Sequence, residues 1–303
     1  MPVENTYEKL MHDYKKFRNI SVPWKLTIFS FLLLVCASCD DTEDRLPNDE
    51  IIEFIDKNYL YVSHTLKGDN SGIFNKVSRM DFTEFDLKIL GGDLALNSFE
   101  NETILNILDD TFDLKNEKTL FSIGNHDETS DAIFSEVTNR NKYNLYQTDD
   151  ISFVTVDTQD DNCSITGAQR AFFQEVMDTV TTKNIVVLSH KLIFMDQHPI
   201  LDQFIDAISN GPKGNCSYCL NPNNFRTDVY PILVQAKDRG KEVFWISGDL
   251  GKKTPSFEFR DENGIQFLAN GLWYESNYNE VLLLNKSDSE LTYRFANIES
   301  LID

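Results

Sequence analysis

Five apolar runs in this sequence stop on polar residues that can bind a metal or move a proton. They deliver His64, Asp93 (after Gly91-Gly92), Asn125 and His126 (after Gly124), His190 (after Ser189) and Asp249 (after Gly248). Asn125 offers an amide oxygen and His126 an imidazole, one suited to holding a metal and the other to moving a proton. Each residue alone has an ordinary reading, because aspartates cap helices, Gly-Asn pairs make turns and histidines fill core edges. Gathered on one rim, carboxylate, amide oxygen and imidazole become the donor set of a divalent-metal centre.

A parallel sheet is the device that would gather them, because it brings the carboxyl ends of its strands to one edge. Strand-like runs occupy Tyr59 to Ser63, Phe85 to Leu90, Thr119 to Ile123, Ile151 to Val156, Asn184 to Leu188 and Val243 to Ile246. Helical spacing appears between them, over Ile73 to Met80, Phe99 to Leu108, Gln169 to Val180, Ile200 to Ile208 and Val229 to Ala236. The stretch Asp127 to Asn141 reads as polar and without an element. From Ser256 onward four strand-like runs follow with no helix between them, which suggests a second, more antiparallel sheet packed on the first. The fold class is α/β.

The first forty residues are of another kind. A polar segment carrying Lys15, Lys16, Arg18 and Lys25 leads into the apolar run Leu26 to Val35, which has the length of a signal-peptide core and is short for a membrane span. The run ends in Cys36-Ala37-Ser38-Cys39-Asp40-Asp41. This resembles the processing site of a bacterial lipoprotein of the Bacteroidetes type, although Cys36 stands where Leu is usual. The resemblance implies a signal peptide over 1–38, with initiation at Met1 or Met11, a lipidated Cys39 and an acidic tether over 39–57. It places a domain over 58–303, exported and anchored to the membrane through that lipid.

The 303 residues are 41% hydrophobic and 12% aromatic, a globular composition. Residues 1–38 hold five of the 28 basic and three of the 49 acidic residues, leaving 23 against 46, a balance of −23. So acidic a surface repels nucleic-acid backbones and disfavours a nuclease. Past the leader the cysteines are Cys163, Cys216 and Cys219. In an oxidising compartment Cys216 and Cys219 can close a small loop as a disulfide; a zinc knuckle would need a second pair.

The order of the motifs resembles the calcineurin-like metallophosphoesterases, whose pattern is Asp-x-His, Gly-Asp, Gly-Asn-His-Asp/Glu, a lone His after an apolar strand, then Gly-His-x-His. Gly92-Asp93, Gly124-Asn125-His126-Asp127 and Val186-Val187-Leu188-Ser189-His190 match, and the resemblance runs over roughly 59–251. It implies a four-layer α/β/β/α sandwich of two mixed sheets flanked by helices, the metallo-dependent phosphatase-like architecture. The first motif departs: His64 stands either for the family's His, with Val62 in place of Asp, or for its Asp, with Leu66 in place of His. The last motif reads Gly248-Asp249-Leu250-Gly251, so Asp replaces the first His and Gly the second.

By that resemblance one metal keeps Asp93, Asn125, His190 and, by substitution, Asp249, while the other keeps only Asp93 and, weakly, His64. One well-held divalent ion is expected, and three oxygen donors with one imidazole favour Mn, Fe or Mg over Zn. His126 takes the family's role of acid toward the leaving oxygen of a small phosphate mono- or diester. The competing reading is a non-catalytic metal-binding or scaffold lipoprotein that retained the fold.

Overall fold

The computed structural model describes residues 57–302 apart from 70, 288 and 289; the leader, Cys39 and the tether up to residue 56 lie outside the described residues. Two sheets form the centre. The first holds β1 (Lys57–Val62), β2 (Leu87–Leu90), β3 (Thr119–Phe121), β10 (Glu280–Ser287) and β11 (Glu290–Asn297) in the order β11-β10-β1-β2-β3. The second holds β4 (Asn144–Gln147), β5 (Ile151–Thr155), β6 (Asn184–Ser189), β7 (Glu242–Ser247), β8 (Ser256–Arg260) and β9 (Gln266–Asn270) in the order β4-β5-β6-β7-β9-β8. Both are mixed. β1, β2 and β3 run parallel, as do β5, β6, β7 and β9, while β4, β8 and the β10-β11 hairpin pair antiparallel.

Period-two alternation explains why the sheets stack. Tyr59 and Tyr61 of β1 face a core shared with Phe153, Val186, Leu188, Phe244 and Ile246 of the opposite sheet. Leu60 and Val62 face the other way, onto Ile104, Leu108 and Phe112 of helix α1 (Glu102–Phe112) and Phe134 of α2 (Asp131–Thr138). In the second sheet Ile185, Val187, Val243 and Trp245 pack outward on α3 (Gly167–Thr179) and α5 (Tyr230–Asp238), with Trp245 donating to Ser189 Oγ at 2.9 Å. Strands apolar on both faces need a cover on each, and the result is the α/β/β/α sandwich. Among the described residues no helix is long and apolar enough to cross a membrane.

Several elements differ from their sequence expectations. The last four strands form no sheet of their own: β8 and β9 extend the second sheet, and β10 and β11 return to the first beside β1. Ile73 to Met80 holds only a 3₁₀ turn, Val77–Arg79, because its backbone bonds go elsewhere. Phe74 N–H donates to the Thr65 carbonyl, and Ile73 and Met80 bridge to Leu66 and Ile302. Ile200 to Ile208 contains a 3₁₀ turn, Asp202–Phe204, and the four-residue α4, Ile205–Ile208. The polar stretch after Asp127 contains α2, capped by Ser130 at its start and by left-handed Asn139 at its end, and buries only Phe134 and Thr138.

Candidate metal centre

The carboxyl ends of the parallel strands in both sheets converge, so loops from opposite sheets meet over the inter-sheet core. Asp93 follows β2 of the first sheet; His190 and Asp249 follow β6 and β7 of the second. Carboxylate oxygens of Asp93 and Asp249 and a ring nitrogen of His190 lie within 4.8 Å of one another, and all three residues are buried. His64, at the end of β1, turns its Nε2 to 3.8 Å from Asp93 Oδ2, and His190 Nε2 lies 3.5 Å from the same oxygen.

The protonation pattern follows from the carbonyls behind the rings. His190 Nδ1 donates to the Gly91 carbonyl at 2.8 Å and His64 Nδ1 to the Leu272 carbonyl at 3.0 Å, because a carbonyl can only accept. Each neutral imidazole therefore presents an Nε2 lone pair to the Asp93 carboxylate. His190 Nε2 has no hydrogen-bond partner. Lone pairs facing one another in a buried site are satisfied only by a cation, a proton or a metal ion. An ion bound at about 2.1 Å separates its ligands by roughly 3–4 Å, and the 3.5 Å between His190 and Asp93 is such a spacing. The residues fit a divalent ion.

Charge balance agrees. Burial alone would raise the Asp93 carboxyl, yet the charge of His190 close beside it, with His64 and His126, holds it well below the usual carboxylate range. Burial alone would lower His190, but Asp93 and then Asp249 push it up to about 9. His64 is lowered, because burial outweighs its attraction to Asp93.

The backbone is forced into place here. His64 and Asp93 both adopt left-handed φ, 52° and 53°, which costs a non-glycine residue about 1–2 kcal/mol each. Asp127 holds the second of these turns. Its buried carboxylate accepts from the backbone N–H groups of Asp93 (2.5 Å), Leu94 (3.1 Å) and Gly124 (3.1 Å) and from Ser98 Oγ. Asp93 Oδ1 in turn accepts the His126 backbone N–H at 2.9 Å. Gly124 must be glycine, because a Cβ there would stand 2.3 Å from Asp93 Oδ1. On the opposite sheet, Asp249 Oδ2 accepts from Ser209 Oγ at 3.2 Å and Gly211 N–H at 3.4 Å.

Asn125 and His126 begin the 3₁₀ turn Asn125–Asp127 directly after Gly124, half-buried on the same rim. Of the histidines, His126 and His64 stand outside the close grouping of Asp93, His190 and Asp249, and His64 meets Asp93 from its own side. Sequence reasoning assigned no role to Asp127, Ser98, Ser209 or Trp273, whose ring packs 5.6 Å from His64. The run Gly-Asn-His-Asp did contain the signal for Asp127. Cys216 and Cys219 form a disulfide, and Cys163 is a buried free thiol. The buried Lys191, next to His190, donates to the carbonyls of Ser217 (2.6 Å) and Cys219 (3.1 Å), tying the disulfide loop to the end of β6.

No family model matches the sequence, and no curated protein does. Among solved structures, a dimetal phosphatase from Danio rerio is similar, with a TM-score of 0.52 at 9% identity over 80% of this chain and 96% of that one. The fold is that of the metallo-dependent phosphatases. Two others match more loosely: GAP50, the anchor in the inner membrane complex of Plasmodium (TM-score 0.48, 11% identity, 81% of this chain and 85% of that one), and a 5'-nucleotidase precursor from Thermus thermophilus (0.43, 12%, 82% and 56%). Within this phosphatase fold the convergence of Asp93, His190 and Asp249 sits where an open α/β sheet carries its ligand, at the carboxyl ends of the strands.

Proposed function

We propose that this chain is a metal-dependent hydrolase of phosphate mono- or diesters, with one well-held divalent ion, exported and held at a membrane by lipid on Cys39. The observation that carries the reading is the buried grouping of Asp93, His190 and Asp249, in which two carboxylates and the Nε2 side of an imidazole converge while the Nδ1 proton is turned away onto the Gly91 carbonyl. Asn125, on the same rim, completes the ligand set, and the oxygen-rich donors favour Mn, Fe or Mg over Zn. When bound, such an ion polarises the phosphoryl group and lowers the pKa of water.

The chain's own residues do the rest. Asp127 fixes the Asp93 turn, the Gly91 carbonyl keeps the His190 proton on Nδ1, and Ser209 and Gly211 aim Asp249. His126 is the proton donor to the leaving oxygen. The lipoprotein-like leader supports export, and the Cys216–Cys219 disulfide suits an oxidising compartment. A net charge of −21 favours a small ester over nucleic acid.

The second reading, a non-catalytic metal-binding or scaffold lipoprotein, draws on the His64 side, where Asp93 is the carboxylate within ion-pair range of the ring among the described residues and Trp273 packs against it. Hydrolysis of aryl phosphate mono- and diesters with Mn²⁺ separates the two, alongside metal analysis of wild type and Asp93→Ala. The enzyme reading expects turnover that Asp93→Ala abolishes and that His126→Ala lowers by roughly 10²-fold with metal retained. Bound metal without Asp93-dependent turnover on any ester selects the scaffold.

A further inference from the structure

The rim beside His64 carries a lysine with an unusual setting. Lys252 is exposed, and no carboxylate among the described residues lies within ion-pair range of its ammonium, in a chain of net charge −21. Its backbone is pinned, with its N–H donated to Asn210 Oδ1 at 2.9 Å. Its ammonium lies over the Trp273 ring, 5.6 Å from the centroid. Trp273 in turn stands 5.6 Å from the His64 ring, whose Nε2 is 3.8 Å from Asp93.

Trp273 is as firmly built in as a ligand-binding wall requires. The side chain of Asn279, itself 1% exposed, accepts its N–H at 2.7 Å and donates to its carbonyl at 3.2 Å. The neighbouring Leu272 N–H donates to the Ser63 carbonyl. A half-buried indole held at both backbone atoms, with Tyr274 packed 4.8 Å from it and an ammonium over it that has no carboxylate in ion-pair range, keeps apolar and cationic surface beside His64.

We propose that Lys252 and Trp273 form a second anchor of the same site, which takes the leaving group of a phosphate ester whose ring packs on Trp273 and whose own negative charge meets Lys252. The proposal rests on the phosphoesterase reading and narrows its substrate class to esters with an anionic, planar leaving group.

The test compares 4-carboxyphenyl phosphate with phenyl phosphate on the full metal-loaded chain. The expected result is a preference of about tenfold for the carboxylated ester, expressed in KM. That preference collapses to near parity in Lys252→Met, which keeps the aliphatic stem over Trp273, and returns in Lys252→Arg. A preference unaltered in Lys252→Met overturns the anchor, as does an equal loss on both esters, which would put Lys252 on the scissile phosphate instead. Binding of the two non-hydrolysable counterparts, 4-carboxyphenylphosphonate and phenylphosphonate, is read by calorimetry. The same tenfold discrimination and its loss in Lys252→Met are expected, and equal affinities in wild type overturn the proposal. Because this second measurement needs no turnover, it decides the anchor even if Asp93-dependent hydrolysis is absent.

Discussion

Gly251 meets Leu272 backbone to backbone: a Cβ on Gly251 would stand 2.2 Å from the Leu272 carbonyl oxygen, the same oxygen that accepts the Nδ1 proton of His64. Gly251 also has φ +119°, open to glycine and costly to any other residue. The space that a side chain at Gly251 would need is thus filled by main chain. Gly251→His is expected to lower Tm by about 5 °C or more, from strain and the displaced carbonyl, without adding a second metal equivalent. Thermal unfolding with metal analysis checks this; an unchanged Tm with two ions bound would show that the main chain leaves room for a further ligand there.

Asp127 is a structural carboxylate, with three backbone N–H groups and Ser98 Oγ converging on it. Asp127→Asn turns one acceptor oxygen into a donor facing those N–H groups. A loss of about 2–4 kcal/mol is expected in denaturant unfolding, and it should appear in metal-stripped protein as well. A loss seen only with metal bound would make Asp127 a ligand.

His190 sets a pH dependence. Its folded pKa, about 9, is raised above the ordinary 6.5. The protonated ring therefore contributes stability to the metal-free fold that is full below 6.5 and lost as pH rises through 9. A metal ion must displace that proton. Mn²⁺ affinity should fall about tenfold for each unit of pH lowered between about pH 8.5 and 6.5, with close to one proton released per ion bound. Affinity independent of pH would mean His190 is not a ligand.

Ser209 and Gly211 support Asp249 from a loop distant in sequence. Ser209→Ala removes one of two donors to the same oxygen. Metal affinity is expected to drop about tenfold, as for other residues that orient a ligand, with Tm of the metal-free protein little changed. Competition titration against a chelator measures the first and calorimetry the second.

Much of this arrangement was readable in the residues. Alternating or wholly apolar runs ending at His64, Asp93, Asn125, His190 and Asp249 located the strands and their polar tips, because period two and buried parallel strands leave strong local patterns. Sheet membership was not readable: nothing local in Glu280–Ser287 says that it pairs with β1, more than two hundred residues earlier, instead of with β9. The helix Asp131–Thr138 was missed because its buried face is two residues wide, and the helix expected at Ile73 to Met80 gave way to backbone bonds with the Thr65 loop. In the candidate site, residue types pointed to Asp93, His190 and Asp249, which the fold brings together, but a serine that aims a carboxylate or a glycine filled against a carbonyl has no signature until the chain is folded.

The placement of β10 beside β1 also builds the two sheets from very different lengths of chain. All six strands of the second sheet lie within residues 144–270, so that sheet pairs within one continuous stretch. The first sheet cannot: one edge of β1 stays unpaired until Tyr59 and Leu60 find Leu284 and Leu283. Asp93 follows β2 of that sheet, so the strand next to its own is paired on both sides only when the C-terminal hairpin has docked.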